Sequence, residues 1–320
     1  MEQRKLIRLG NSSFALALPK DWVDKAGLKK GDNIFLERNS NGEIIVSPRF
    51  RKVNGGKKLE LDLSKKTDFE IKKEINYAYI KGYTDLNVLT GGDKKLASMI
   101  KGEVDNLLGM EVVENNKENM LIRDFLNFED MNQESFIRRV DNNLREMFEI
   151  LVSSANKNLV SQAQLNESIQ ADRDINKFYF LNLRILATGV DNPSLLASLK
   201  TDGISLLMKG FYSQHLEKIG DRIKAILQII KDVKINKDSL DKISSLVPRV
   251  QKMYIDSMEA FYKKDRELAI KVGGEGHKIW KECDKFLKDK DTGVVKIAFN
   301  LKDLENAIYQ NLKLIIYIMN

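Results

Sequence analysis

The apolar residues of this 320-residue chain change their period once, near Gln133. Before that point they fall in short runs separated by turn residues. After it they recur every three to four residues almost to the end, which is the period of an amphipathic helix. The first part must therefore form small sheet-bearing domains, and the second must form long helices that bury one face against each other. Six helices are predicted, near 134–158, 162–187, 194–232, 239–263, 265–288 and 292–319. Thr201-Asp202-Gly203 is expected to break the third. Pro248 lacks an N–H and should kink or shorten the fourth.

Three helices followed by three more suggest an internal duplication, with repeats at 133–234 and 238–320. An offset of 88 residues aligns the third helix with the sixth: Phe211 with Phe299, Leu216 with Leu304, Glu217 with Glu305, and Ile230 with Ile318. The other helices do not share that offset, so loops of unequal length must intervene.

The first fifty residues read as two strand pairs around one short helix. Lys5 to Leu9 and Phe14 to Leu18 flank the turn cluster Gly10-Asn11-Ser12-Ser13. Pro19 opens a helix carrying Trp22, Val23 and Ala26, and Gly27 closes it. Ile34 to Arg38 and Glu43 to Ser47 flank Asn39-Ser40-Asn41-Gly42, whose Asn-Gly pair is a hairpin signal. Strands this short bury little core alone, so a second copy that shares strands is expected, which makes a homodimer. Residues 1–58 hold 13 basic and 6 acidic residues, which is the whole net charge of +7; the remaining 40 basic and 40 acidic residues balance. A basic module on a neutral body points to a polyanion partner for that module. Arg49, Arg51, Lys52, Lys57 and Lys58 surround Asn54-Gly55-Gly56 without any apolar period, which reads as a basic linker.

Residues 59–126 alternate strand and helix patterns in the order β-α-β-α-β-β, which predicts a small α/β sandwich. The expected elements are Leu59 to Leu63, Asp68 to Lys81, Leu86 to Thr90, Lys94 to Leu108, and a hairpin of Glu111 to Val113 with Met120 to Arg123. Gly91-Gly92-Asp93 reads as a turn before a helix. A spacer and a small-molecule sensing module both fit this domain.

Several classes are set aside by the residues. No apolar run approaches the roughly 18–20 residues of a membrane span, no apolar leader follows Met1, and the single Cys283 forms no internal disulfide. A cytoplasmic protein without membrane insertion is expected. Two histidines cannot supply the paired Glu-x-x-His motifs of a carboxylate-bridged di-iron bundle. Neither a phosphate-cradling Gly-Lys-Ser/Thr loop nor a nucleophile elbow is present. The chain is expected not to be an enzyme.

The third helix carries His215-Leu216-Glu217-Lys218-Ile219-Gly220-Asp221-Arg222-Ile223. Glu217 and Asp221 are four apart and leave one helix face, where like charges destabilise unless something offsets them. A bound cation is one answer; Lys224 and solvent are the other. Gly220 costs about 1 kcal/mol against Ala in mid-helix and suggests the close approach of a backbone or ligand. His215 lies off the carboxylate face and is expected to pack rather than ligate.

Two resemblances follow. Leu9-Gly10-Asn11-Ser12-Ser13 through Ala17-Leu18-Pro19-Lys20, then Ala26-Gly27-Leu28-Lys29-Lys30-Gly31-Asp32, then Gly42-Glu43-Ile44-Ile45-Val46, resembles the SpoVT/AbrB family. It implies a swapped-hairpin dimer at residues 1–52 that binds DNA near its N-terminus, through Arg4, Lys5 and Arg8 with the Asn11-Ser12-Ser13 turn. Arginine forks onto guanine edges or grips phosphate, and lysine acts as a point charge. A toxin-neutralising role fits such a head but not the long helical body.

Leu216-Glu217-Lys218-Ile219-Gly220-Asp221 resembles the repeat motif of the PhoU family, and Asp174-Ile175-Asn176 matches a second family position. This resemblance covers roughly 135–319. It implies iron or zinc held by Glu217, Asp221 and Asp174, and a role in regulating phosphate uptake. The second repeat departs from the motif: Tyr309 stands where the second carboxylate belongs, and Asp303 is one step off.

The expected fold is multidomain α+β: a dimeric swapped-hairpin β-barrel head at 1–52, a basic linker at 53–58, an α/β sandwich at 59–126 and an all-α body of two three-helix bundles at 133–320. The expected protein is a DNA-binding regulator of phosphate homeostasis that senses metal, phosphate status or a transporter partner. The alternative is an adaptor that controls a phosphate ABC transporter, through its ATPase subunit, or a sensor kinase by protein contact, its head serving only to dimerise.

Overall fold

The computed structural model describes residues 3–38, 42, 44–48, 56–128, 131, 133–190, 192–233, 235 and 237–317. The chain divides into two compact units, Met1–Gly55 and Gly56–Asn320.

In the first unit, β1 (Leu6–Leu9) and β2 (Ser13–Leu16) pair antiparallel, with Leu6 opposite Leu16 and Arg8 opposite Phe14. Helix α1 (Lys20–Lys25) follows Pro19, and the chain leaves it through Gly27 in the left-handed region, at φ +68°. A second antiparallel pair joins β3 (Phe35–Arg38) to β4 (Ile44–Ser47). The expected Asn39-Ser40-Asn41 turn lies outside the described residues, as do Arg49, Arg51, Lys52, Asn54 and Gly55 of the expected linker.

Among the described residues the two strand pairs form separate sheets, so the expected barrel is not closed within one chain. The reason is the shortage of core. No described residue of this unit is buried, and Leu6, Phe14 and Leu36 remain about two-thirds exposed, at 66%, 65% and 66%.

The second unit begins with a four-stranded sheet in the order β5-β6-β8-β7. Its strands are β5 (Lys58–Asp62), β6 (Asp85–Leu89), β7 (Met110–Asn115) and β8 (Asn119–Asp124). β5 and β6 run parallel because α2 (Asp68–Ile80) crosses over between them; β8 is antiparallel to both β6 and β7. A capping box fixes the start of α2: the Thr67 hydroxyl accepts from Glu70 N, and the Glu70 carboxylate accepts from Thr67 N. Asp93 caps α3 (Lys94–Val104), after the turn at Gly91 and Gly92. The core between sheet and helices holds Ile71, Ile75, Tyr79, Val88, Ile100 and Ile122.

The body is helical, in segments α4 (Gln133–Lys157), α5 (Gln162–Gly189), α6 (Pro193–Ser198), α7 (Gly203–Asp232), α8 (Lys237–Ser244), α9 (Val247–Lys263), α10 (Arg266–Asp284) and α11 (Thr292–Tyr317). The break expected in the third helix separates α6 from α7, where Asp202 caps the new helix by accepting from Ser205 N. The fourth divides into α8 and α9, with Pro248 in the first turn of α9, where its missing N–H costs nothing. α4, α5 and α7 pack together, α9, α10 and α11 pack together, and α7 against α11 joins the two groups. One continuous apolar core runs through both.

The sheet domain and the body are tied together. Arg184 on α5 is fully buried and ion-paired with Asp124 at the end of β8. Its guanidinium lies 4.8 Å from the Tyr79 ring and 5.6 Å from the Phe128 ring. Cys283 is buried within the body, and burial pushes its thiol up to about 12. Among the described residues, no helix is long and apolar enough to cross a membrane.

Candidate functional site

In the head, the segment expected to contact DNA is exposed throughout: Arg4, Lys5, Arg8, Asn11, Ser12 and Ser13. Arg4 and Lys5 precede β1, Arg8 lies within it, Asn11 and Ser12 form the turn, and Ser13 opens β2. Arg8 Nε donates to the Gly10 carbonyl at 3.2 Å, which holds the side chain along the turn. Partners across an antiparallel pair share a face, so Arg8 sits with Phe14, Leu6 and Leu16. That face is therefore mixed, with cationic and apolar side chains side by side.

In the body, the structure places Glu217 and Asp221 on α7 beside Asp172 of α5. Asp172 is 5% exposed. Lys224 Nζ donates to Asp172 Oδ2 at 2.5 Å and to Asp221 Oδ1 at 2.8 Å. Asn176 Nδ2 donates to the Asp172 carbonyl at 3.0 Å and to its Oδ2 at 3.3 Å. Asp172 Oδ1 is buried and accepts no hydrogen bond. Burial raises the Asp172 carboxyl above the usual range, against the pull of Lys224. Glu217 is pushed up to about 7, first by burial and then by the charges of Asp221 and Asp172. Burial works against the Lys224 ammonium, yet the two carboxylates hold its pKa above the ordinary lysine value.

Asp174, the α5 residue expected in this cluster, is not part of it. It pairs with Lys177 at 3.5 Å, and its side chain is 42% exposed. Two residues along a helix is more than half a turn, so Asp172 and Asp174 face opposite ways. The signal for Asp172 was present in the sequence. It interrupts the stripe Leu165, Ser168, Ile175 and Phe178, all buried, where a charged residue is out of place.

Gly220 makes the approach between helices possible. A Cβ at this position would lie 3.2 Å from Ile175 Cδ1 and 3.7 Å from Asp172 Oδ1. His215 stands apart from the carboxylates: its Nδ1 is 2.8 Å from Asn311 Oδ1 on α11.

The corresponding place in the second repeat is built differently. Glu305 is 4% exposed, and burial pushes its carboxyl up to about 7, with Lys302 opposing. It lines a groove of about 770 Å³ with Tyr309, His277 and Trp280. A Cβ at Gly276 would fall 2.7 Å from Glu305 Oε1, so α10 yields space to this carboxyl. Asp303 points elsewhere, pairing with Lys218 at 3.1 Å and Arg222 at 2.9 Å across the α7–α11 contact. Glu217 and Glu305, 88 residues apart, both have carboxyls pushed up to about 7, and acidic neighbours contribute only at Glu217. Among the described residues, no three His, Cys, Asp or Glu side chains converge as metal ligands.

Two comparisons with known proteins found matches. Residues 7–54 match the MazE family, described as antidote-toxin recognition MazE, bacterial antitoxin. The head is therefore similar to antitoxin domains of the MazE/AbrB kind. Among solved structures, the chain is similar to the phosphate transport system regulatory protein PhoU from Streptococcus pneumoniae, at 17% identity and a TM-score of 0.36, over 58% of this chain and 96% of that one. No curated protein matches the chain.

Proposed function

We propose that this protein is a regulator of phosphate homeostasis that binds DNA as a homodimer through its basic head and responds to metal, phosphate status or a transporter partner through its helical body. The observation that carries the DNA reading is the coincidence of three features in one segment: the MazE match at 7–54, the whole net charge of +7 in residues 1–58, and the exposed Arg4, Lys5 and Arg8. The dimer is supported by the two strand pairs that bury no core of their own. Phosphate regulation is supported by the Leu216–Asp221 motif on α7.

In DNA binding, Arg4, Lys5 and Arg8 would neutralise phosphates, and the Asn11-Ser12-Ser13 turn would set the register through hydroxyl and amide contacts. The experiment is a fluorescence-anisotropy titration of labelled promoter DNA at several salt concentrations, with the full chain and the R4E/K5E/R8E variant. A steep negative log–log salt slope for the wild type, made shallower or lost in the variant, supports the reading. Equal DNA affinity for the two proteins removes it.

Lys224 supplies the counter-charge between Asp172 and Asp221, and the donors are carboxylates alone, which suit zinc less well than nitrogen and sulfur ligands do. An ion bound there would have to displace Lys224 and use Asp172, Glu217 and Asp221, with the orphaned Asp172 Oδ1 as one ligand.

A second reading has its own support. Phe211 and Phe299, related by the 88-residue offset, are both exposed, at 43% and 60%. Exposed aromatic residues at matching positions of two repeats favour the adaptor, which would dock a transporter ATPase subunit or a sensor kinase while the head only dimerises. Normal DNA affinity of the R4E/K5E/R8E variant would turn the argument toward it.

A further inference from the structure

One end of the helical body holds a cavity of about 420 Å³ that the reading above does not use. It lies where the start of α4, the α6–α7 turn, the first turns of α7 and the end of α9 meet. Four cations line it: Arg138, Lys200, Lys209 and Lys264. Arg138 stacks on the Tyr262 ring at 4.6 Å. Among the described residues, Arg138, Lys200 and Lys264 have no carboxylate partner.

Two acids also line the cavity, Glu134 and Asp202. Asp202 is occupied in capping α7, accepting from Ser205 N at 2.9 Å and from the Ser205 hydroxyl at 2.7 Å. Glu134 is exposed. Burial lowers the Lys209 ammonium below its ordinary value, and Glu134 and Asp202 only partly offset that. Arg138, Lys200 and Lys264 are exposed as well, so positive charge exceeds negative around the rim of the cavity.

Lys200 and Lys264 follow the ends of α6 and α9 in the left-handed region, at φ +49° and +53°, an ordinary way for a helix to end, which here brings two lysines to the rim of one cavity.

We propose that this cavity binds a small phosphorylated anion. A phosphate group would take the guanidinium edge of Arg138 and the ammonium groups of Lys200 and Lys264. The Tyr212, Phe261 and Leu314 side chains give the cavity apolar walls that would receive an organic remainder. The cavity is also of the size that holds a small metabolite. The proposal deepens the reading of the body as a sensor, and it rests on that reading only for what binding reports.

The test is isothermal titration of the full chain, without DNA, with inorganic phosphate, AMP and adenosine. The comparison variant is K200N/K264N. Asparagine enters the left-handed region more readily than lysine, so the fold is retained, as far-UV circular dichroism would check. Binding of AMP or inorganic phosphate, weakened about tenfold or more in the variant, supports the proposal. AMP binding alone assigns an organic phosphate; binding of both assigns the free ion as sufficient. No binding at millimolar concentration overturns it, as does unchanged affinity in the variant or adenosine binding as well as AMP. A separate anisotropy titration with DNA distinguishes the two readings. If the ligand binds but leaves DNA affinity unchanged, the cavity assignment stands and the coupling to the head falls.

Discussion

Arg184 and Asp124 lie sixty residues apart in sequence and form an ion pair in which each side chain is 2% exposed. The pair closes the contact between the sheet domain and the body, with Tyr79 and Phe128 on the guanidinium. Burial raises the Asp124 carboxyl and Arg184 pulls it down, so the pair stands or falls together. Removing one member leaves a buried charge without compensation, which costs about 3–5 kcal/mol. Arg184→Met is therefore expected to lower stability by that amount. The R184M/D124N double variant should recover much of the loss. Chemical denaturation of the single and double variants checks this, and an unchanged midpoint for R184M would contradict it.

The buried Glu305 sets a pH dependence. Glu305 has its pKa raised to about 7 in the folded chain, against a value near 4.5 unfolded. Between these values the folded state holds a proton that the unfolded state has released. Stability therefore falls as pH rises from 4.5 through 7. Glu305→Gln should stabilise the protein at pH 8, by up to about 3 kcal/mol at roughly 1.4 kcal/mol per pKa unit, and should have little effect below pH 4.5. Denaturation midpoints of both proteins across that range decide it; an equal difference at both ends would rule it out.

Lys224 is expected to act as the built-in cation of the first repeat. Lys224→Met leaves Asp172 and Asp221 facing each other without it. The loss of stability should be several-fold larger at pH 8 than at pH 5, because the raised carboxyls of Asp172 and Glu217 take up protons as pH falls. If Lys224 stands where a cation would, added Zn²⁺ or Mn²⁺ should raise the melting temperature of K224M more than that of the wild type. Equal shifts in the two proteins would show that the carboxylates do not form a cation site.

The head's apolar faces predict assembly. Leu6 and Phe14 lie on one face of the first strand pair, and both are largely exposed in a single copy. Leu6→Glu with Phe14→Glu should convert a dimer to a monomer in sedimentation equilibrium while leaving the helical signal of the body intact. A monomeric wild type at the same concentration would end the swapped-hairpin reading.

Some of this architecture was legible residue by residue. The order β-α-β-α-β-β of residues 59–126 followed from period and turn signals, and the structure forms those elements with ends within a few residues. The break before α7 was readable because Asp202 and Gly203 are a cap and a helix start. The division at Pro248 was readable because proline cannot sit in a helix interior. The site was less legible. Glu217 and Asp221 share a face by spacing alone, but the α5 acid beside them is Asp172 rather than Asp174, since two residues along a helix turn the side chain to the other face.

The sequence by itself determined where helices and strands form, where they stop, and that the excess charge belongs to the head. Those are local properties, set by backbone restriction, side-chain period and charge count, and they need no knowledge of neighbours. Only the tertiary structure decided that Lys224 bridges Asp172 and Asp221, that Arg184 reaches Asp124, and that Arg138, Lys200, Lys209 and Lys264 line one cavity. Each of these joins residues from different elements. Which helix faces meet depends on how the whole core packs, and that information is distributed over the chain rather than written at any one position.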